Sequence, residues 1–176
     1  MAITVLVVDD SKLNRQVLID ILQNNYTIAE AENGLQALQI VEEQMEEIAA
    51  VFLDINMPEM DGIAFFFIMS EKECLGAFPV LVVTSEQSVE QVAECFEYGA
   101  SDYIRKPVNK EFVLERLHKL LELFEHIENN FCDMVSTNDI SIRLFCKHFE
   151  QKPIVEMGND DDKEKKKTNK RRVNNE

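Results

Sequence analysis

Five side chains suited to binding metal ions and phosphate stand far apart in the sequence: Asp9, Asp10, Asp54, Thr84 and Lys106. If they meet in the fold, the three carboxylates repel one another unless a cation or a proton offsets their charge. Hard oxygen ligands with open coordination positions suit Mg²⁺ or Mn²⁺, and protein-bound Mg²⁺ commonly takes phosphate oxygens as further ligands. A carboxylate in such a site can act as the nucleophile toward a phosphoryl group, while a hydroxyl and an ammonium group stabilise the developing charge.

All five side chains follow segments with the pattern of a β-strand. Residues 3–8 form an apolar run without alternation, which is typical of a strand buried on both faces of a parallel sheet. Asp9 and Asp10 come directly after it. The predicted strands are residues 3–8, 26–31, 49–53, 80–83 and 103–104.

A helix is predicted after each strand. Ser11 can cap the first, which stops at Asn24-Asn25, and Asn33-Gly34 is predicted to be a turn before the second. The other predicted helices are residues 63–69, 89–98 and 111 to about 127. Five strands alternating with five helices predict a doubly wound α/β fold, with helices on both faces of a parallel sheet. Ligands of such sheets bind at the carboxyl ends of the strands, where the five side chains stand.

Composition and charge exclude several classes of function. The formal net charge is −15, and residues 159–176 hold a surplus of Lys and Arg, so the preceding chain is more acidic still. An acidic body repels phosphate backbones and argues against nucleic-acid binding. The N-terminal apolar run is too short for a membrane span and lacks the cationic flank of a signal sequence. The cysteines show no CxxC pair or metal-ligand spacing, so we expect reduced thiols and a cytoplasmic location.

The chain resembles the receiver domain of two-component response regulators over residues 3 to about 124, and in particular single-domain chemotaxis-type regulators. The resemblance implies a flavodoxin-like sheet of strand order 2-1-3-4-5 and a receiver domain at residues 1–124. It rests on motifs at residues 7–11, 53–62, 83–85, 99–103 and 106–107.

The resemblance also implies a role for each residue of the site. Asp54 is expected to be the phosphoacceptor, and Asp10, Asp54 and the backbone carbonyl of Asn56 are expected to bind Mg²⁺ or Mn²⁺. Asp9 is expected to act through a metal-bound water. Lys106 is expected to pair with Asp54 and later with the phosphate, while Thr84 binds a phosphate oxygen.

Further positions are implied to control the readout and the lifetime of the phosphorylated form. Tyr103 is expected to rotate into the space that Thr84 vacates. Asn56 and Glu86 are expected to tune dephosphorylation, and their polar and acidic side chains favour a short-lived phosphoryl state. The bond before Pro107 is expected to be cis.

The predicted function is that of a phosphorelay response regulator. A histidine kinase or phosphotransfer protein would donate the phosphoryl group, and a downstream protein would bind the surface of the fourth helix, fifth strand and fifth helix. The only expected chemistry is self-phosphorylation and self-dephosphorylation of Asp54, so no enzyme with a separate substrate is predicted. An aspartate-nucleophile phosphatase needs a DxD pair on its first strand, whereas Asp9 and Asp10 are adjacent, and no GxGxxG of a dinucleotide enzyme follows that strand.

The chain beyond the receiver is harder to interpret. Residues 125–158 are predicted to be a helical extension, which would dock on the receiver, bind a target or form a dimer. The surface of the fourth helix, fifth strand and fifth helix is the other predicted dimer surface. Residues 159–176 have mixed charge and no apolar periodicity, so we expect disorder. Their lysines and arginines leave open an alternative, a regulator that contacts DNA or RNA, although no helix-turn-helix pattern is present. Phe65, Phe66 and Phe67 are wider than one apolar helical stripe, so at least one ring is expected to be exposed. The triplet would serve either as a protein interface or as extra core packing.

Overall fold

Strands and helices alternate along the chain. The computed structural model describes residues 3–72, 76–85 and 89–134, with the backbone alone for residues 127–134. The strands are β1 (Thr4–Val8), β2 (Thr27–Ala31), β3 (Ile48–Leu53), β4 (Val80–Thr84) and β5 (Asp102–Arg105). The α-helices are α1 (Lys12–Leu22), α2 (Gly34–Gln44), α3 (Gly62–Glu71), α4 (Val89–Glu97) and α5 (Lys110–Met134), and a 3₁₀ turn at Met45–Glu47 precedes β3. The predicted elements are confirmed, and only the end of the last helix differs by more than about two residues.

The sheet is parallel and its strands lie in the order β2-β1-β3-β4-β5. Successive residues of β1 point to opposite faces, as strand geometry requires. Val5 and Val7 pack in the core beneath α1 and α5, whereas Leu6 and Val8 pack in the core beneath α2, α3 and α4. Both faces are therefore buried, which explains the unalternating apolar run and confirms the doubly wound prediction.

Polar side chains cap the helices that begin next to the carboxyl edge of the sheet. Ser11 Oγ accepts a hydrogen bond from the Asn14 N–H at the start of α1, and Asp61 Oδ1 accepts one at the start of α3. The prediction of a separate turn at Asn33-Gly34 is wrong. Asn33 has extended backbone and caps α2, and Gly34 is the first residue of that helix. Asparagine is a favoured cap because its side-chain oxygen satisfies a backbone N–H that has no partner within the helix.

Helix α5 is longer than predicted. It was expected to end near residue 127, but it continues to Met134, because apolar residues keep helical spacing there and neither Gly nor Pro interrupts them. The predicted receiver boundary at residue 124 falls inside this helix, at Phe124, its last described buried side chain. The predicted extension beyond residue 134 and the charged tail of residues 159–176 lie outside the described residues. Neither α5 nor any other helix of the described ranges is long and apolar enough to cross a membrane.

The three consecutive phenylalanines of α3 divide between core and surface. Phe65 and Phe66 are fully buried and contact each other edge to face, whereas Phe67 is 50% exposed. The ring of Phe67 lies edge-on to Tyr98, with 6.3 Å between the ring centroids. The prediction that at least one ring is exposed is therefore confirmed.

Candidate functional site

Three carboxylates meet at the carboxyl edge of the sheet. Strands β1 and β3 are neighbours, with Val8 paired to Leu53, so the residues that follow them, Asp9 and Asp54, lie side by side. Carboxylate oxygens of Asp9, Asp10 and Asp54 all lie within 4.8 Å of one another. Asp9 and Asp54 are buried and Asp10 is exposed, so the cluster opens to solvent on one side.

Asp54 is held by two hydrogen bonds that it accepts. Its Oδ1 accepts one from the Ile55 N–H at 2.8 Å, and its Oδ2 accepts one from Lys106 Nζ at 2.5 Å. Burial raises the pKa of the Asp54 carboxyl above its ordinary value, and the ammonium group of Lys106 only partly offsets this effect. Asp54 is therefore an oriented carboxylate whose negative charge needs a nearby cation.

Lys106 lies between two acids. Its Nζ is 2.5 Å from Asp54 Oδ2 and 2.7 Å from Asp9 Oδ2. Burial alone lowers the pKa of this ammonium group, but the two carboxylates outweigh burial, and the pKa is raised overall. A backbone hydrogen bond fixes the main chain that carries this side chain, because the Lys106 N–H donates to the Thr84 carbonyl at 3.0 Å. The Lys106–Pro107 peptide bond is cis. The lysine therefore stays charged and faces the carboxylates.

The two carboxylate oxygens of Asp9 have different partners. Its Oδ1 accepts hydrogen bonds from the Ser11 N–H at 2.9 Å and from Asn14 Nδ2 at 3.2 Å. Its Oδ2 is buried and forms an ion pair with Lys106 Nζ, 2.7 Å away. Lys106 brings one positive charge to three clustered carboxylates, so negative charge remains to be offset, and three hard oxygen donors fit Mg²⁺.

The other predicted site residues are distributed around this cluster. Thr84 is buried at the end of β4, and Asn56 is exposed two residues after Asp54. Tyr103 lies on β5, half-buried, with its ring edge-on to Phe96 and 6.3 Å between the ring centroids. Glu86 lies outside the described residues. The structure thus clusters the three acids and places Lys106 in contact with Asp9 and Asp54, with Thr84 on the neighbouring strand end.

Comparison with known proteins identifies this arrangement. A family model described as the response regulator receiver domain matches residues 5–118. The chain belongs to this family. The receiver is 36% identical over 123 residues to the chemotaxis protein CheY of Bacillus subtilis, covering 69% of this chain and 99% of CheY. It is also similar to a crystal structure titled as the CheX–CheY–BeF₃–Mg²⁺ complex from Borrelia burgdorferi, with 30% identity, a TM-score of 0.61, and coverage of 66% of this chain and 87% of that chain.

Family membership defines the general activity. Receivers of two-component systems are signalling modules rather than classical enzymes, bind Mg²⁺ at an acidic pocket, and interact with histidine kinases and downstream targets. A further relative, histidine kinase P4 of Formosa agariphila, is 31% identical over 153 residues. That match covers 83% of this chain but only 11% of the kinase, so the chain spans about a tenth of that relative.

Sequence reasoning missed one buried cation of the receiver, Arg15. It lies on α1 and donates to the backbone carbonyl of Asp9 at 2.8 Å. Its side chain is only 6% exposed and pairs with Glu30 and Glu32. The signal was present, because Arg15 shares helical spacing with the buried Leu18 and therefore stands on the apolar stripe of α1. A buried cation needs charged or hydrogen-bonding partners, which only the fold reveals.

The loop between β3 and α3 is also fixed by contacts that were not predicted. Asn33 Nδ2 donates to Glu59 Oε2 at 3.0 Å, and the Gly34 N–H donates to the Met60 carbonyl at 3.0 Å. Glu59 has a φ of 65°, in the left-handed region of backbone conformation that residues other than glycine rarely adopt. The loop that carries Asn56 is therefore held against the start of α2.

Proposed function

We propose that this receiver is a phosphorelay response regulator that accepts a phosphoryl group on Asp54 with the aid of Mg²⁺. The observation that supports this most strongly is the ammonium group of Lys106, which lies within 2.7 Å of carboxylate oxygens of both Asp54 and Asp9. A cation so placed can stabilise the negative charge of a phosphoryl group arriving at the same carboxylate. The phosphodonor would be the phosphohistidine of a kinase or phosphotransfer protein.

Each residue of the site has a separate role in phosphoryl transfer. Asp54 supplies the attacking oxygen, which burial shields from water. Lys106 moves its hydrogen bond from that oxygen to the phosphoryl group, and the Thr84 hydroxyl donates to another phosphoryl oxygen. Asp10, Asp54 and the Asn56 carbonyl would hold Mg²⁺, with Asp9 contributing through a bound water. When bound, Mg²⁺ supplies positive charge that offsets the carboxylates and the phosphoryl oxygens.

The test uses the full chain, Mg²⁺ and a small-molecule phosphodonor such as acetyl phosphate. Intact mass spectrometry should detect one added phosphoryl group on the wild type and none on Asp54→Asn. Asp20→Asn is the matched control, since Asp20 is an exposed acid on α1, and this variant should be phosphorylated like the wild type. Equal phosphorylation of Asp54→Asn and the wild type would contradict the proposal.

We place the output surface on α4, β5 and α5. Phe96 and Phe112 are 39% and 37% exposed, and Tyr103 contacts Phe96 edge-on, so aromatic surface is available for a protein partner. Movement of Tyr103 on phosphorylation would change this surface. Hydrogen exchange measured with and without phosphodonor should change in residues 89–105 of the wild type and remain constant in Asp54→Asn. Constant exchange in the phosphorylated wild type would exclude this surface as the readout.

A short lifetime of the phosphoryl group belongs to the same proposal. Asn56 is exposed beside Asp54, where its amide can contact an attacking water. Removal of the phosphodonor should lead to prompt loss of the added mass when Mg²⁺ is present, and Asn56→Ala should change that rate. A phosphoryl group that persists for hours with Mg²⁺ present would contradict the proposed short lifetime.

The remaining predictions concern location and the C-terminal region. A cytoplasmic location stays a prediction of the sequence. Dimerisation through the extension and contact of the basic tail with DNA or RNA also stay predictions, because residues 135–176 lie outside the described residues.

A further inference from the structure

Arg15 occupies an unusual place for a cation, buried beneath the turn that carries two of the three clustered acids. We propose that Arg15 is a positioning residue that sets the Mg²⁺ affinity of the receiver by fixing the backbone of Asp9 and Asp10. The inference rests on the proposed function, because it concerns the same acidic cluster. It adds a residue that none of the predicted ligand or phosphate roles includes.

The guanidinium group joins two strand ends. Its Nη1 donates to the carbonyl of Asp9 at 2.8 Å and lies 3.4 Å from that of Asp10. On its other side, Nη2 donates to Glu32 Oε1 at 2.8 Å and Nε donates to Glu30 Oε2 at 3.2 Å. The two glutamates are 62% and 50% exposed, whereas the arginine side chain is 6% exposed. The acidic turn after β1 is thereby tied to the end of β2.

Only arginine can make this set of contacts. Its planar guanidinium presents five N–H donors in a fixed fork, so one group can serve backbone carbonyls on one side and carboxylates on the other. Lysine keeps the charge but offers a single ammonium point, which cannot reach all of these acceptors. A lysine substitution therefore separates the geometry of Arg15 from its charge.

The link to metal affinity is the direction of the two acidic side chains. Hydrogen bonds to the carbonyls of Asp9 and Asp10 restrict the peptide planes of the turn, and these planes determine where the carboxylates point. Asp10 is exposed, so its placement depends on the turn rather than on surrounding packing. Loss of a group that orients metal ligands commonly lowers metal affinity about 10- to 100-fold. We expect a loss of about tenfold here.

Loss of the positive charge of Arg15 and loss of its positioning contacts have opposite expected effects on Mg²⁺ affinity. Removal of a cation makes the cluster more negative, which by itself strengthens binding of a divalent cation. Loosening of the turn weakens binding. Arg15→Lys retains the charge and Arg15→Met removes it, so a loss of affinity in both variants supports positioning as the dominant role.

The experiment is calorimetric titration of the full chain with Mg²⁺ alone. Arg15→Lys should bind about tenfold more weakly than the wild type. Arg15→Met should also bind more weakly, but by a smaller factor, because loss of the positive charge partly offsets the loosened turn. Arg116→Lys is the matched control, because Arg116 also bonds a carboxylate, that of Asp102 at 2.6 and 2.7 Å, but lies on α5. Its Mg²⁺ affinity should equal that of the wild type. Unchanged affinity in Arg15→Lys, or tighter binding in Arg15→Met, would overturn the inference.

A second pair of variants guards against loss of folding at the buried position. Glu32 is exposed, and Glu32→Gln and Glu32→Ala lose the same charge, but only glutamine keeps an acceptor for Arg15. Glu32→Ala should bind Mg²⁺ more weakly than Glu32→Gln, and equal affinities would refute the inference. A wild type that binds no Mg²⁺ would instead defeat the proposed metal site itself, so the two failures are distinguishable.

Discussion

Lys106→Met is the most informative perturbation of stability. The substitution removes a cation from two buried carboxylates: Asp9 and Asp54 are 1% and 8% exposed at their side chains, and Lys106 is 15% exposed. Removal of one partner from a buried ion pair generally costs about 3–5 kcal/mol. Because burial already raises the pKa of Asp54, this carboxyl can take up a proton and relieve part of the repulsion. We therefore expect a loss of about 3 kcal/mol, or about 10 °C in melting temperature for a domain of this size.

The assay is urea denaturation followed by circular dichroism, near neutral pH and with a chelator present. Lys119→Met is the control, because Lys119 forms an exposed ion pair with Glu115 one helical turn away. Such pairs contribute little to stability, because solvent screens the charges and ordering of the two long side chains costs entropy. In a parallel titration without chelator, added Mg²⁺ should stabilise Lys106→Met more than the wild type, because a bound cation replaces the missing charge. Equal losses in the two lysine variants, or equal stabilisation by Mg²⁺, would refute this account of the site.

Three further predictions concern packing and ionisation. Gly62→Ala places a Cβ 2.6 Å from the backbone oxygen of Asp54, and urea denaturation should reveal a loss of about 2 kcal/mol. Burial raises the pKa of the Cys95 thiol from 9.0 to about 12, so above pH 9 the unfolded chain releases a proton that the folded chain retains. The free energy of unfolding should therefore fall as pH rises through that window, and Cys95→Ala should flatten the decline. Phe66→Ala should cost about 4 kcal/mol by denaturant titration, whereas Phe67→Ala, at a half-exposed ring, should cost about 1 kcal/mol.

Each of these predictions has an outcome that contradicts it. Gly62→Ala with wild-type stability would mean that the backbone after Asp54 yields without cost. An alkaline stability profile that is the same with and without Cys95 would remove the thiol as a cause. Equal losses at Phe66 and Phe67 would contradict the division of α3 between core and surface.

The order and type of the elements could be predicted because the residue pattern of each strand and helix lies within that element. A strand buried on both faces leaves an unalternating apolar run, and residues 3–8 have one. The acids could be predicted to meet because the carboxyl ends of parallel strands share one edge. The contact of Lys106 with Asp54 and Asp9 then follows from strand order, which the resemblance to receivers supplied and the structure confirms.

What could not be predicted depends on contacts between distant residues. Arg15 can be buried because Glu30 of β2 and Glu32, which follows that strand, pair with it, and no local pattern records this contact. The left-handed backbone of Glu59 is likewise accompanied by an Asn33 hydrogen bond that spans 26 residues. The turn predicted at Asn33-Gly34 proved to be the start of α2. Asn and Gly are favoured both in turns and at the start of a helix, so the residue types alone do not distinguish the two structures.

The length of α5 has a mechanical consequence. A helix of 25 residues is about 37 Å long at 1.5 Å per residue. Its first residue, Lys110, follows Lys106 by only four positions, while Met134 lies at the far end. For a helix of that length, a rigid tilt of about 5° at the end near Lys106 would displace the other end by about 3 Å. A small adjustment of the helix axis beside the acids would therefore appear at Met134 as a displacement comparable to the length of a hydrogen bond.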